Sequence, residues 1–133
     1  MEISAIVTSS GAAHEVSVRT GSVPQSLVVA AKAAGRGSSV NGGEFLMLAL
    51  ATCYCNDLYR EAERLGIPIE GAQVEATAEF PGVGLAATSI RYSAVVTSSA
   101  SAEAIAQLLR ETDAVAEVHN TVRLGVPVEL RLR

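Results

Sequence analysis

The sequence predicts an α+β domain with a largely antiparallel sheet, and three features carry that reading. One long helix is expected from Asn41 to Leu65. Segments with strand-like alternation lie on both sides of it. The order of segments is strands, central helix, strands, helix, strand, which suits an antiparallel sheet better than a βαβ repeat. The 133 residues are expected to form a single domain over 1–133, large enough for one core.

The helix organises the rest. Asn41 is a good N-cap, Gly66 a natural stop, and Pro68 bars continuation. From Phe45 to Cys55 it is apolar on nearly every side, so this part should be wrapped by protein. After Cys55 the pattern becomes amphipathic, with Asn56, Asp57, Arg60, Glu61, Glu63 and Arg64 set against Leu58, Ala62 and Leu65. The last turns should therefore reach water.

Before the helix, Glu2 to Thr8 and Glu15 to Thr20 read as strands of a hairpin turning at Ser9 to Gly11. Gly21 to Pro24 breaks the pattern, and Leu27 to Ala31 reads as a third strand or a helical turn. Ala33 to Gly43, rich in Gly and Ser, is a loop. After the helix, Gln73 to Phe80 alternates with one solvated face, and Ala87 to Thr97 is a second long strand. Ser99 to Arg110 is a surface helix with Ser101 as its cap. Asp113 to Asn120 is ambiguous and fits a short helix. Val126 to Leu132 alternates again and should close the chain as a strand, with Pro127 at its start or at an edge.

Composition narrows the function classes. The apolar fraction is 49%, yet there is no Trp, and only two Phe and three Tyr. One chain's core should be thin, and subunit contacts are expected to bury more. Net charge is −4 with no basic run, which argues against nucleic acid as a partner. The longest apolar run, Phe45 to Ala51, is far short of the roughly 20 residues that cross a bilayer. No secretory pattern opens the chain, and the cytoplasm is the expected compartment.

Two cysteines, Cys53 and Cys55, lie in the helix. Successive residues turn about 100°, so the two thiols point roughly 200° apart and form neither a disulfide nor a metal pair. Cys53 sits where an apolar stripe meets Asn56, Asp57 and Arg60, whereas Cys55 keeps the company of Leu48, Ala51, Leu58 and Tyr59. Both fit small buried hydrophobes, and Cys53 is the one placed for chemistry. His14 and His119 lack metal-ligand spacing, so no metal or cofactor is expected. Arg19 and Arg36 are solvated arginines that could present a cation to a thiolate, and Glu44 suits the helix dipole. There is no phosphate loop, nucleophile elbow or carboxylate cluster.

Three stretches carry a family resemblance. NGGEFLMLALATCYC resembles the S/N-P-E-E/Q-L-L-x-x-A-x-x-x-C-F signature of the OsmC/Ohr hydroperoxide reductases. RLGIPIEGAQVEATAEF resembles their G-I-x-I-x-G strand, and HNTVRLGVPVELRLR their C-terminal S-N-T-L-R-x-G-V-P-V-x-L. The resemblance implies an OsmC-like fold, an intertwined homodimer with sheets wrapped around two long helices. It also implies a thiol-dependent peroxidase in which Cys53 attacks organic hydroperoxides. An ordinary thiol, with a pKa of about 8.5, is only about 3% thiolate at pH 7. Lowering that pKa by about two units takes about 2.7 kcal/mol, which the family draws from an arginine held by a glutamate.

The chain departs from the pattern at three places. Where the family has its second, resolving cysteine, the chain has Ala116, Glu117 and Val118. The family's glutamate falls on Gly43, leaving its neighbour Glu44, and Arg19 is the nearest N-terminal arginine. The sulfenic acid would then be cleared by an external thiol or by Cys55 of another subunit. The alternative is a catalytically degenerate relative that binds an apolar small molecule on the inherited scaffold.

Overall fold

The computed structural model describes residues 1–132. They form two compact units, Met1–Phe45 and Leu46–Arg133, with the long helix beginning in the first and continuing in the second.

In the first unit, β1 (Ile3–Ser10), β2 (Ala13–Thr20) and β3 (Val23–Leu27) form an antiparallel sheet in the order β1-β2-β3. The hairpins are tight: Ser10 pairs with Ala13 and Thr20 with Val23. Gly11 (φ 59°) and Gly21 (φ 57°) supply the left-handed backbone that such turns need. The third strand corrects the expectation of Leu27 to Ala31. It starts four residues earlier, directly after the turn, and Leu27 is its last residue. Pro24 is tolerated because β3 is an edge strand. Ala31 instead forms an isolated bridge with Ser38 inside the glycine-rich loop.

Helix α1 (Gly42–Leu65) begins with a capping box. The Glu44 N–H donates to Asn41 Oδ1 at 2.9 Å, and the Asn41 N–H donates back to Glu44 Oε2 at 2.8 Å. It ends at Gly66, whose φ of 67° lets the Ile67 N–H return to the Ala62 carbonyl at 2.9 Å.

In the second unit, β4 (Gly71–Glu79) pairs antiparallel with β5 (Ser89–Thr97), followed by α2 (Ala102–Val115) and α3 (Glu117–Arg123). The alternation read from sequence holds. Val74, Tyr92, Ala94 and Val96 turn inward against a core of Tyr54, Leu58, Ala62, Leu108 and Ala116. Complete burial of Leu58 and Leu108 contributes about 1.5–3 kcal/mol each. Helix α2 is capped by Ser101, whose Oγ accepts the Ala104 N–H at 3.1 Å. It runs five residues past the expected end at Arg110, and in the added turn Thr112 is fully buried with its hydroxyl donating to the Leu108 carbonyl. Ala116, with ψ of 101°, breaks the helix and α3 resumes at Glu117.

Two expectations are corrected. Val126 to Leu132 forms no strand, although its alternation suits one. A strand exists only through a paired edge, and this segment has none among the described residues; Val128, Leu130 and Leu132 stay almost fully exposed. The apolar half of α1 is also less wrapped than expected. The buried residues are Leu50, Tyr54, Asp57, Leu58, Glu61 and Ala62, whereas Leu48 in the apolar half is 57% exposed. In the later turns Asp57 and Glu61 are buried against the guanidinium groups of Arg60 and Arg64, while Asn56, Arg60, Glu63 and Arg64 reach the surface as expected. Among the described residues, no helix is long and apolar enough to cross a membrane.

Candidate functional site

Helical spacing sets Cys53, Asp57, Arg60, Glu61 and Arg64 along one stripe of α1, each three or four residues from the next or adjoining it. The Cys53 thiol donates to Asp57 Oδ2 at 3.5 Å, and Glu117 Oε2 of α3 lies 3.9 Å from the same sulfur. The other oxygens of both carboxylates face one cation. Arg60 Nη1 is 2.9 Å from Asp57 Oδ1 and 3.9 Å from Glu117 Oε1. The stripe continues as alternating charge: Arg60 Nε lies 3.5 Å from Glu61, which Arg64 Nε contacts at 2.6 Å, and Arg64 also binds Glu111 of α2. Asp57 (4% exposed) and Glu61 (6%) are buried carboxylates whose partners reach them from the surface.

This setting opposes a free thiolate. Burial pushes the Cys53 thiol up, and the Asp57 and Glu117 carboxylates add to that. The Val118 backbone N–H, directed at the sulfur, only partly offsets them. Cys53 is therefore held as a thiol at neutral pH, bonded to a carboxylate.

The cation beside the thiol is thus Arg60, a residue that the sequence places only on the polar side of Cys53. Arg19 pairs with Glu2 at 3.5 Å, Glu44 belongs to the capping box, and Cys55 is a half-buried free thiol. Ala116, which the resemblance sets against the family's resolving cysteine, is fully buried in the core against which Cys53 packs. Glu117 is recognisable in sequence only as a departure from the family pattern. Its approach to Cys53 depends on the break at Ala116 that turns α3 back toward α1.

Sequence reasoning misses a second cluster next to the thiol. Tyr54, Tyr92 and His119 pack ring against ring, with centroids 4.9 Å apart for the two tyrosines and 4.4 Å for Tyr92 and His119. The Tyr54 hydroxyl donates to the Leu109 carbonyl at 2.7 Å, and the Tyr92 hydroxyl donates to Asp113, which also pairs with Arg123. Burial and the Asp113 charge push Tyr54 up to about 12. Burial acts to raise Asp113, but the bonds from Tyr92 and Arg123 outweigh it and hold this carboxyl below its usual range. A groove of about 490 Å³ opens here between β5 and α2, and its lining includes Tyr54, Tyr92, Leu109, Arg110 and Asp113 but not Cys53.

His119 is 3% exposed, and neither ring nitrogen has a hydrogen-bond partner among the described residues. Burial lowers its pKa, the Arg123 charge lowers it further, and Asp113 and Asp57 partly offset both. The neutral form is therefore the one the fold accepts. A group whose pKa is depressed on folding gives stability above its unfolded value, about 6.5, and loses it as pH falls through the lowered folded value. Denaturation midpoints should drop on acidification below about pH 6.5, and His119→Phe should flatten that dependence. An unchanged pH dependence in the variant would contradict this assignment.

The architecture is that of an α+β protein carrying a thiol on a long central helix. The OsmC-like protein family model matches residues 35–131, and the chain belongs to that family. Solved structures agree in fold. An OsmC-like protein from Mycoplasma pneumoniae aligns with TM-score 0.64 at 18% identity, covering 94% of this chain and 87% of that one. An organic hydroperoxide resistance protein from Elizabethkingia anophelis aligns at 0.65 and 15% identity, with coverages of 92% and 89%. The organic hydroperoxide resistance protein OhrB of Bacillus subtilis aligns at 0.58 and 20% identity, with coverages of 100% and 98%. No curated protein matches the sequence.

Proposed function

We propose that this protein is a thiol-dependent peroxidase that reduces organic hydroperoxides through Cys53. It would act as a homodimer in the cytoplasm and rely on an external thiol reductant. The observation that carries the reading is the position of Cys53. The resemblance matches it to the family's reactive cysteine, and on α1 it lies half open at the junction of the apolar core and a polar cluster. Several structural relatives bear the name organic hydroperoxide resistance protein, which supports the substrate class.

The reaction balances with one thiol. A sulfur lone pair attacks the terminal peroxide oxygen, the O–O bond breaks, and its electron pair leaves with the alkoxide. The thiol proton ends on that alkoxide, giving Cys53 sulfenic acid and an alcohol. One external thiol condenses with the sulfenic acid and releases water, and a second returns Cys53 to the thiol form. The dimer reading rests on uncovered apolar surface, including Leu48 of α1 and the alternating segment Val126 to Leu132. A second copy would supply the cover that one chain lacks.

The second reading is a small-ligand-binding relative without peroxide chemistry. What favours it is the burial of the sulfur, together with the pair of carboxylates beside it, which raises the thiol pKa where a peroxidase usually lowers it. Cumene hydroperoxide consumption with dithiothreitol as reductant, combined with sedimentation, decides between them. Rapid thiol-dependent turnover by a dimer is expected. A stable folded monomer at micromolar concentration would remove the dimer, and no turnover above the reductant's own rate would leave the binding reading.

A further inference from the structure

The peroxidase reading leaves a chemical problem at Cys53. The sulfur must give up a proton to attack, yet its surroundings disfavour a preformed thiolate. Two carboxylates bridge between the sulfur and Arg60, and they are not equivalent. Asp57 is on the same rigid helix, 4% exposed, with one oxygen 3.5 Å from Sγ and the other 2.9 Å from the guanidinium. Glu117 sits 3.9 Å from both groups, and its side chain is 72% exposed. Only Asp57 is fixed at both ends.

Resting on the peroxidase reading, we propose that Asp57 is the acid–base residue of this reaction and that Arg60 is its positioning residue. As the sulfur attacks the terminal peroxide oxygen, Asp57 Oδ2 takes the thiol proton. It passes that proton to the alkoxide as the O–O bond breaks and the electron pair departs. Asp57 is regenerated as a carboxylate, the sulfur is oxidised by two electrons, and the peroxide is reduced to an alcohol. Arg60 keeps Oδ1 occupied, so that Oδ2 is the oxygen turned to the thiol. The negative surroundings that hinder a free thiolate then supply the acceptor for its proton.

Two reagents separate this role from a simple electrostatic one. Iodoacetamide needs thiolate alone, whereas the hydroperoxide reaction also needs the proton delivered. In Asp57→Asn, removing the charge should speed alkylation of Cys53 at about pH 7.5 several-fold while slowing oxidation by cumene hydroperoxide about 10²-fold, within the usual range for general acid–base groups. Glu117→Gln should leave oxidation within about threefold of wild type, and Arg60→Lys should keep more of it than Arg60→Met. If both rates rise in Asp57→Asn, the carboxylate is only a brake on the thiol. If both fall, it is structural. Either result overturns the proposal, as does a loss in Glu117→Gln equal to that in Asp57→Asn.

Should Asp57→Asn not fold, wild-type pH profiles give the answer. The groups gathered about the pair are Glu61 and Arg60 from α1 and Glu117 and His119 from α3, and their effects enter both profiles alike. Alkylation should climb with the thiol's titration, while oxidation should persist below it. Coincident profiles would overturn the base assignment. If wild type oxidises no faster than free cysteine while its alkylation is normal, it is the peroxidase reading that has failed.

Discussion

Replacing Cys53 by serine should reduce thiol-dependent consumption of cumene hydroperoxide to the reductant's background, a loss on the order of 10³-fold or more. A hydroxyl is a far poorer nucleophile toward the O–O bond and forms no sulfenic acid that a reductant could recycle. The same substitution should be mild for the fold. Cys53 is only partly buried, and its hydrogen bond to Asp57 can be made by a hydroxyl. Cys55→Ser is the matching control and should keep most of the activity. Cys55 lies about 200° around the helix from Cys53 and takes no part in the charged stripe. Activity measured by loss of hydroperoxide, alongside thermal melts of both variants, checks the pair. Turnover surviving in Cys53→Ser would remove the thiol from the mechanism.

The second large effect concerns the fate of oxidised Cys53. Ala116 is fully buried in the core against which Cys53 packs, and the Val118 N–H two residues on reaches the sulfur. If Ala116 stands where the resemblance sets the family's second cysteine, the sulfenic acid expected on the peroxidase reading has no partner along that route. Peroxide in excess, without a small thiol, should carry wild type on to the irreversible sulfinic acid. Ala116→Cys should change that outcome, diverting most of the oxidised protein into a disulfide between Cys53 and the introduced thiol, recovered by dithiothreitol. The added sulfur enters a filled site, at a cost of about 1–3 kcal/mol in stability. Intact-mass measurement separates the two products: a gain of two oxygens for the sulfinic acid, a loss of two hydrogens for the disulfide. Sulfinic acid at the wild-type level in Ala116→Cys would show that the two positions do not meet during the reaction.

What the sequence reveals is largely what local chemistry determines. The ends of α1 are legible because Asn41 and Gly66 act on backbone groups within a turn of themselves. The strands β4 and β5 are legible because one face is buried and the other solvated, so period-two alternation survives in the residues. The third strand is misplaced because Pro24 resembles a terminator, when an edge strand tolerates it. For Val126 to Leu132, alternation reports suitability for a sheet and says nothing about whether an edge is at hand. The family resemblance singles out Cys53 and Ala116 as the positions to test. It cannot supply Arg60 as the cation at the thiol, because that depends on which carboxylates α3 and α1 bring together. Nor can it show the Tyr54–Tyr92–His119 cluster, whose members come from three elements and make no local pattern.

One measurement tests the central claim most directly. Wild-type protein is mixed with cumene hydroperoxide or with hydrogen peroxide, and the rate at which Cys53 becomes a dimedone-trapped sulfenic acid is followed by mass spectrometry. The peroxidase reading requires an apolar wall at the site, which would gain about 25 cal/mol for each Å² of the organic group it buries, whereas hydrogen peroxide offers nothing to bury. The expected result is oxidation by the organic hydroperoxide that is faster than by hydrogen peroxide and well above the rate of free cysteine. Oxidation of Cys53 by cumene hydroperoxide at no more than the free-cysteine rate would contradict the assignment and leave a binding role on this scaffold.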